Sequence, residues 1–149
     1  MSSAFKTVAL VGRYQSDGVA GTLADIAAFL QERGTRVLLE SDTARAIGRL
    51  DLTHVDVDAV GREADLAIAV GGDGTMLGLA RHLARYQVPL VGINHGRLGF
   101  VTDIALHHWR SALGTILDGG YASEDRTLLN ARVMRGDAEV WRHVAMNDV

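Results

Sequence analysis

Residues 5–11 (FKTVALV) form a nearly unbroken apolar, β-branched run that stops at Gly12, the pattern of a parallel strand buried on both faces. Beyond Asp17 the rhythm changes. Leu23, Ile26, Ala27 and Leu30 recur at the i, i+3, i+4, i+7 spacing of an amphipathic helix, and Gly34 supplies its stop. Residues 36–39 predict a second strand, residues 44–50 a short helix, and the stretch from there through Asp58 irregular chain. Residues 66–70 (LAIAV) predict a third strand. Immediately after it comes the cluster Gly71-Gly72-Asp73-Gly74-Thr75, and then Met76, Leu79, Ala80 and Leu83 take up helical spacing, so the cluster is a turn from strand into helix. Pro89, the only proline, opens a further strand (PLVGI) at a place where a missing N–H is tolerated. Leu106, Trp109, Leu113 and Ile116 or Leu117 mark another helix, ended by Gly119-Gly120.

Strands alternating with helices up to residue 122 predict an α/β unit, a parallel sheet in three layers. From Tyr121 onward the texture differs. Residues 128–134 and 140–149 read as strands on either side of Gly136-Asp137, a hairpin turn, with no helix after them. This organisation predicts an α/β domain over residues 1–122 and the opening strands of a β-rich domain over residues 123–149. That second domain is expected to be incomplete, since its two strands lack partners within the chain.

With 149 residues, 48% hydrophobic and 22% charged, the chain can bury a core and carries no signature of disorder. A net charge of −3 and a pI near 6.0 provide no field to gather nucleic acid or an anionic membrane, so an anionic ligand has to be held by local geometry. The absence of cysteine removes disulfides, thiolate zinc sites and cysteine nucleophiles together. Residues 1–6 lack the features of a signal peptide, and no apolar run reaches the ~20 residues that span a bilayer. A cytoplasmic protein is expected.

Glycines at the carboxyl end of a parallel strand let backbone N–H groups and a helix N-terminus approach phosphate oxygens with no Cβ in the way. A carboxylate in the middle of such a turn, Asp73, repels phosphate unless a Mg²⁺ ion or a hydroxyl awaiting deprotonation stands between them, so it points to reaction chemistry. A purely structural turn remains the plain alternative. A Walker P-loop is excluded, because Gly74 is followed by Thr75 and Met76 and not by lysine. Gly72, Gly74 and Gly78 spell a dinucleotide-type GxGxxxG, yet Asn94 stands at the strand end where that fingerprint needs an acid, and the turn does not follow the first strand.

These residues resemble a known group. GGDGT is similar to the signature of a superfamily of NAD kinases, phosphofructokinases and diacylglycerol and sphingosine lipid kinases. Gly92-Ile93-Asn94-His95-Gly96-Arg97-Leu98-Gly99-Phe100 resembles the NAD kinase segment G-[IV]-N-x-G-x-L-G-F, and Asn147-Asp148 is similar to that family's downstream Asn-Glu/Asp pair. The resemblance covers essentially the whole chain.

It implies transfer of phosphate from ATP to the 2′-hydroxyl of the adenosine ribose of NAD, assisted by Mg²⁺ or another divalent cation that accompanies ATP. Asp73 is then the general base and touches NAD together with Gly74, Asn147 and Asp148, while Gly71, Gly72 and Thr75 form the phosphate turn. The implied partners are NAD, ATP and further copies of the protein, as a homodimer or homotetramer, with no nucleic acid and no membrane. Phe100 could stack on adenine or belong to the core, and His95 and Arg97 could meet phosphate or solvent. His107 and His108 are expected on different faces of a helix, and no histidine has the spacing of a protein-built metal site. Two other readings remain open: a lipid or sugar kinase of the same superfamily, and a non-catalytic nucleotide-binding module. The 149 residues alone are expected to be inactive.

Overall fold

The computed structural model describes residues 3–12, 18–96, 102 and 104–146. Strands β1 (Thr7–Gly12), β2 (Arg36–Glu40), β3 (His54–Val55), β4 (Leu66–Gly71), β5 (Leu90–Asn94) and β6 (Ile104–Ala105) form one sheet in the order β3-β2-β1-β4-β5-β6. Every pairing in it is parallel. Helices α1 (Val19–Glu32), α2 (Ser41–Ile47), α3 (Val57–Glu63), α4 (Asp73–Leu83) and α5 (Trp109–Leu117) connect the strands, making the expected three-layer α/β architecture.

The two faces of the sheet bury different side chains. Val8 and Leu10 of β1, Val37 and Leu39 of β2, and Leu66, Ile68 and Val70 of β4 pack with Leu23, Ile26 and Leu30 of α1 and Leu113 and Leu117 of α5. On the other face Ala9, Leu38, Ala67 and Ala69 meet Val60 of α3 and Met76, Leu79 and Leu83 of α4. Alternation along each strand produces this division, and the alanines of β4 let α4 lie close to the sheet. All six residues of β4 are buried, as expected of a strand flanked on both sides by others and covered by helices above and below.

Two departures from the sequence reading occur between residues 51 and 63 and before α5. The segment expected to be irregular through Asp58 contains β3 and the start of α3. Helix α3 carries little periodic signal because it is short, with Val60 and Gly61 its only buried residues. It is held from outside by Asp56, whose side chain accepts from the Ala59 N–H at 2.7 Å, and by Tyr86, whose ring lies against Gly61. Asp58 in its first turn accepts from Arg85 and from the Tyr86 hydroxyl (3.1 Å), and these partners hold its carboxyl below the usual range. Strand β6 is two residues long, too short to show alternation. In the 3₁₀ turn Leu106–His108 the rings of His107 and His108 lie 4.1 Å apart. The two rings lie together and not on different faces of a helix, because α5 begins only at Trp109 and both residues precede it.

Strands β7 (Leu129–Arg135) and β8 (Ala138–Ala145) form a separate antiparallel pair, with Gly136 at φ 62° in the two-residue turn as a hairpin of this length requires. Leu129, Val133, Met134, Val140 and Trp141 of this pair are exposed.

Candidate functional site

In the order β3-β2-β1-β4-β5-β6, the connections run outward in opposite directions from β1 and β4, and α1 and α4 cover opposite faces. The carboxyl ends of those two strands are the topological switch point, where open α/β sheets leave a crevice. Gly12 ends β1 there, and Gly71 ends β4 beside Asn94 of β5. Asp73 opens α4 immediately afterwards, with Gly72 as the N-cap residue.

Gly72 has extended backbone angles, φ −127° and ψ −167°, which any residue can adopt, and among the described residues no atom lies within 4 Å of where its Cβ would stand. Neither strain nor packing among the described residues calls for glycine at this position. Its effect is to leave the start of α4 uncovered. Among the described residues no side chain caps that end, so the first-turn N–H groups face outward with the positive end of the helix dipole behind them.

A cleft of about 630 Å³ opens beside this turn, lined by Gly12, Glu40, Thr43, Gly74, Thr75 and His82 among others. Its far wall is pinned. Glu40 accepts from the N–H groups of Asp42 and Thr43 and from the Thr43 hydroxyl, each at 2.9 Å, while Thr43 Oγ1 also accepts from the Gly12 N–H at 3.2 Å. That carboxylate is thus occupied in capping α2. Thr75 Oγ1 is buried with no hydrogen-bond partner among the described residues.

Asp73 is held from the opposite side. The backbone N–H and the hydroxyl of Thr102 both donate to Asp73 Oδ1, each at 3.2 Å, and Asn94 Nδ2 donates to Thr102 Oγ1 at 2.7 Å. Asn94 and Thr102 are only 3% and 2% exposed, so these bonds form out of competition with water. Asn94, weighed above as the ribose position of a dinucleotide fingerprint, is thereby committed to a protein partner.

Of the residues expected in the site, Gly71, Gly72, Asp73, Gly74 and Thr75 come together in this turn. Asn147 and Asp148 lie outside the described residues, as do Arg97 and Phe100. His95 donates its backbone N–H to Gly71 O at 2.7 Å, and its ring lies beside Gly18, the N-cap residue of α1. Thr102 carries no signal in the sequence, since no spacing rule connects it to a carboxylate twenty-nine residues earlier. Among the described residues no group of three or more His, Asp or Glu side chains is arranged to hold a metal ion.

A doubly wound parallel sheet with a glycine-rich, carboxylate-bearing strand-to-helix turn at its switch point defines a class of α/β nucleotide-binding folds. Within that class the chain belongs to the NAD kinase family: the family model for the ATP-NAD kinase N-terminal domain matches residues 8–121. The chain is 52% identical to the NAD kinase of Bordetella pertussis over 145 residues, covering 97% of this chain and 48% of that protein. With the NAD kinase of Paraburkholderia phytofirmans it shares 47% identity over 149 residues, all of this chain and 50% of the relative. The chain thus spans about half the length of these relatives. The crystal structure of yeast NADH kinase complexed with NADH has the same fold, with a TM-score of 0.80 at 19% identity over 95% of this chain and 47% of that one. An Archaeoglobus fulgidus NAD kinase in complex with ATP aligns with a TM-score of 0.52 at 21% identity, over 85% of this chain and 40% of that one.

Proposed function

We propose that the protein carrying this chain is an NAD kinase, transferring the γ-phosphate of ATP to the 2′-hydroxyl of the adenosine ribose of NAD to give NADP. The observation that carries this reading is Asp73 in the first turn of a helix whose N-terminus is left uncovered by Gly72 at the switch point of the sheet. The names of the relatives support the choice of NAD as acceptor and ATP as donor.

In this reading Asp73 takes the proton of the 2′-hydroxyl as that oxygen bonds to the γ-phosphorus, and the bond to the β,γ-bridging oxygen breaks to release ADP. Gly71, Gly72 and Thr75 line the phosphates, and the outward N–H groups of α4 face the negative charge. Gly74 with Asn147 and Asp148 contacts NAD. Mg²⁺ or another divalent cation accompanies ATP and, when bound to its phosphates, neutralises their charge. Residues 1–122 act as the α/β domain, and residues 123–149 begin the β-rich domain through which copies of the protein assemble as a dimer or tetramer. We place the enzyme in the cytoplasm, with neither nucleic acid nor membrane as partner; no helix among the described residues is long and apolar enough to cross a bilayer.

The test is Asp73→Asn in the protein expressed from its full coding sequence, with NADP formation followed by a coupled dehydrogenase. Loss of a general base predicts a fall in kcat of about 10²–10⁴-fold, with the KM for NAD held within a few-fold. Near wild-type turnover by the variant would remove Asp73 from the role, and phosphorylation of a lipid acceptor in preference to NAD would overturn the reaction itself.

A further inference from the structure

Resting on the reading of Asp73 as the base, we infer that Thr102, seated on Gly92 and oriented by Asn94, is the residue that positions the Asp73 carboxylate for proton abstraction. Three observations converge on it. Thr102 offers Asp73 Oδ1 two donors, its backbone N–H and its hydroxyl, each at 3.2 Å. A hydroxyl has a single proton to donate, and the Asn94 amide fixes where it goes by occupying the acceptor side of Thr102 Oγ1 at 2.7 Å. Gly92, finally, leaves the space in which Thr102 sits, for a Cβ on residue 92 would stand 2.8 Å from Thr102 Cγ2 and 3.2 Å from its Cα.

The Gly92-Ile93-Asn94 segment is therefore a mount. Its glycine makes room for Thr102, and its asparagine aims the Thr102 hydroxyl at the base. Ile93 between them points into the hydrophobic core and anchors the strand. A carboxylate on the first turn of a helix otherwise rotates about two side-chain bonds, and general-base catalysis depends on placing one of its oxygens within hydrogen-bond reach of the substrate proton. Two donors on one oxygen restrict that rotation before substrate arrives.

The test uses the protein expressed from its full coding sequence, with Asp73→Asn assayed in parallel. Thr102→Val keeps the shape and the backbone donor but removes the hydroxyl. It is expected to lower kcat by about ten- to a hundred-fold while the KM values for NAD and ATP stay within about three-fold, the signature of lost alignment rather than lost binding. Thr102→Ser retains the hydroxyl and is expected to restore most of the rate. Gly92→Ala should lower kcat by pushing Thr102 off its seat, and Thr102→Ser in that background, which lacks Cγ2, should recover part of the loss. This pair keeps the test decisive if the buried valine impairs folding as judged by circular dichroism. Wild-type kcat in Thr102→Val, or equal damage from Val and Ser, would overturn the inference. If Asp73→Asn is inactive while Thr102→Val is unimpaired, only the positioning role fails. If Asp73→Asn itself turns over normally, the role of Asp73 fails and this inference falls with it.

Discussion

Two glycines outside the ordinary turns show how differently the same residue type can be used. Gly61 lies inside α3, where glycine costs ~1 kcal/mol relative to alanine. A Cβ there would stand 2.1 Å from Tyr86 Cδ2 and 2.5 Å from Cγ, so the ring occupies the space that a side chain would need. The same ring carries the hydroxyl that donates to Asp58. Gly61→Ala is accordingly expected to destabilise the protein by about 1–3 kcal/mol despite the gain in helix propensity, since overpacking outweighs it. Gly72→Ala, where no atom of the described residues stands within 4 Å, should leave stability unchanged. Urea denaturation of both variants checks the contrast, and a Gly61→Ala protein as stable as wild type would mean that Tyr86 moves aside freely.

Among the elements, β4 and α4 together place the site. The strand is central and fully buried, and its α4-facing positions, Ala67 and Ala69, are as small as side chains allow. Small residues on that face set how closely α4 approaches the sheet and hence where its first turn, with Asp73, is held. Ala69→Leu is expected to cost about 1–3 kcal/mol by overpacking and also to reduce kcat, because it displaces the helix that carries the base. Ala27→Ser on α1, a buried site on the opposite face of the sheet, serves as the comparison. If Ala69→Leu lost stability but kept full turnover, the strand-to-helix spacing would not govern the site. The hairpin of β7 and β8 is an element of another kind: its turn chemistry, Gly136 followed by Asp137, is legible in the sequence, while its apolar side chains Leu129, Val133, Met134, Val140 and Trp141 find no cover among the described residues.

Taken as a whole molecule, the described residues combine an α/β sheet whose two faces are both covered with a two-stranded ribbon whose faces they leave largely open. Leu129, Val133 and Trp141 are 49%, 50% and 44% exposed, and among the described residues no further strand pairs with the ribbon's edges. Isolated two-stranded ribbons are marginal, and unpaired edges template association. Residues 1–149 expressed alone are expected to self-associate with rising concentration in sedimentation velocity and to form no measurable NADP. Val133→Lys combined with Trp141→Lys should reduce that association. A monomer at every concentration, or turnover equal to that of the full-length protein, would refute the expectation.

The strands and helices with strong periodicity, β1, α1, β2, β4 and α4, were legible from residues 5–83 because each buries a face that repeats at its own period. The glycine turn and its carboxylate were legible for a similar reason: backbone approach and charge are local properties of Gly71 to Thr75. Helix α3 and strands β3 and β6 were not, since they are short and owe their form to Asp56, to Tyr86 and to neighbouring strands. Nor could sequence tell Gly61, which Tyr86 covers, from Gly72, which none of the described residues covers. The union of Gly92, Asn94 and Thr102 behind Asp73 was settled by tertiary structure alone, because hydrogen bonds between residues on different loops and strands depend on which chain ends the parallel sheet brings side by side.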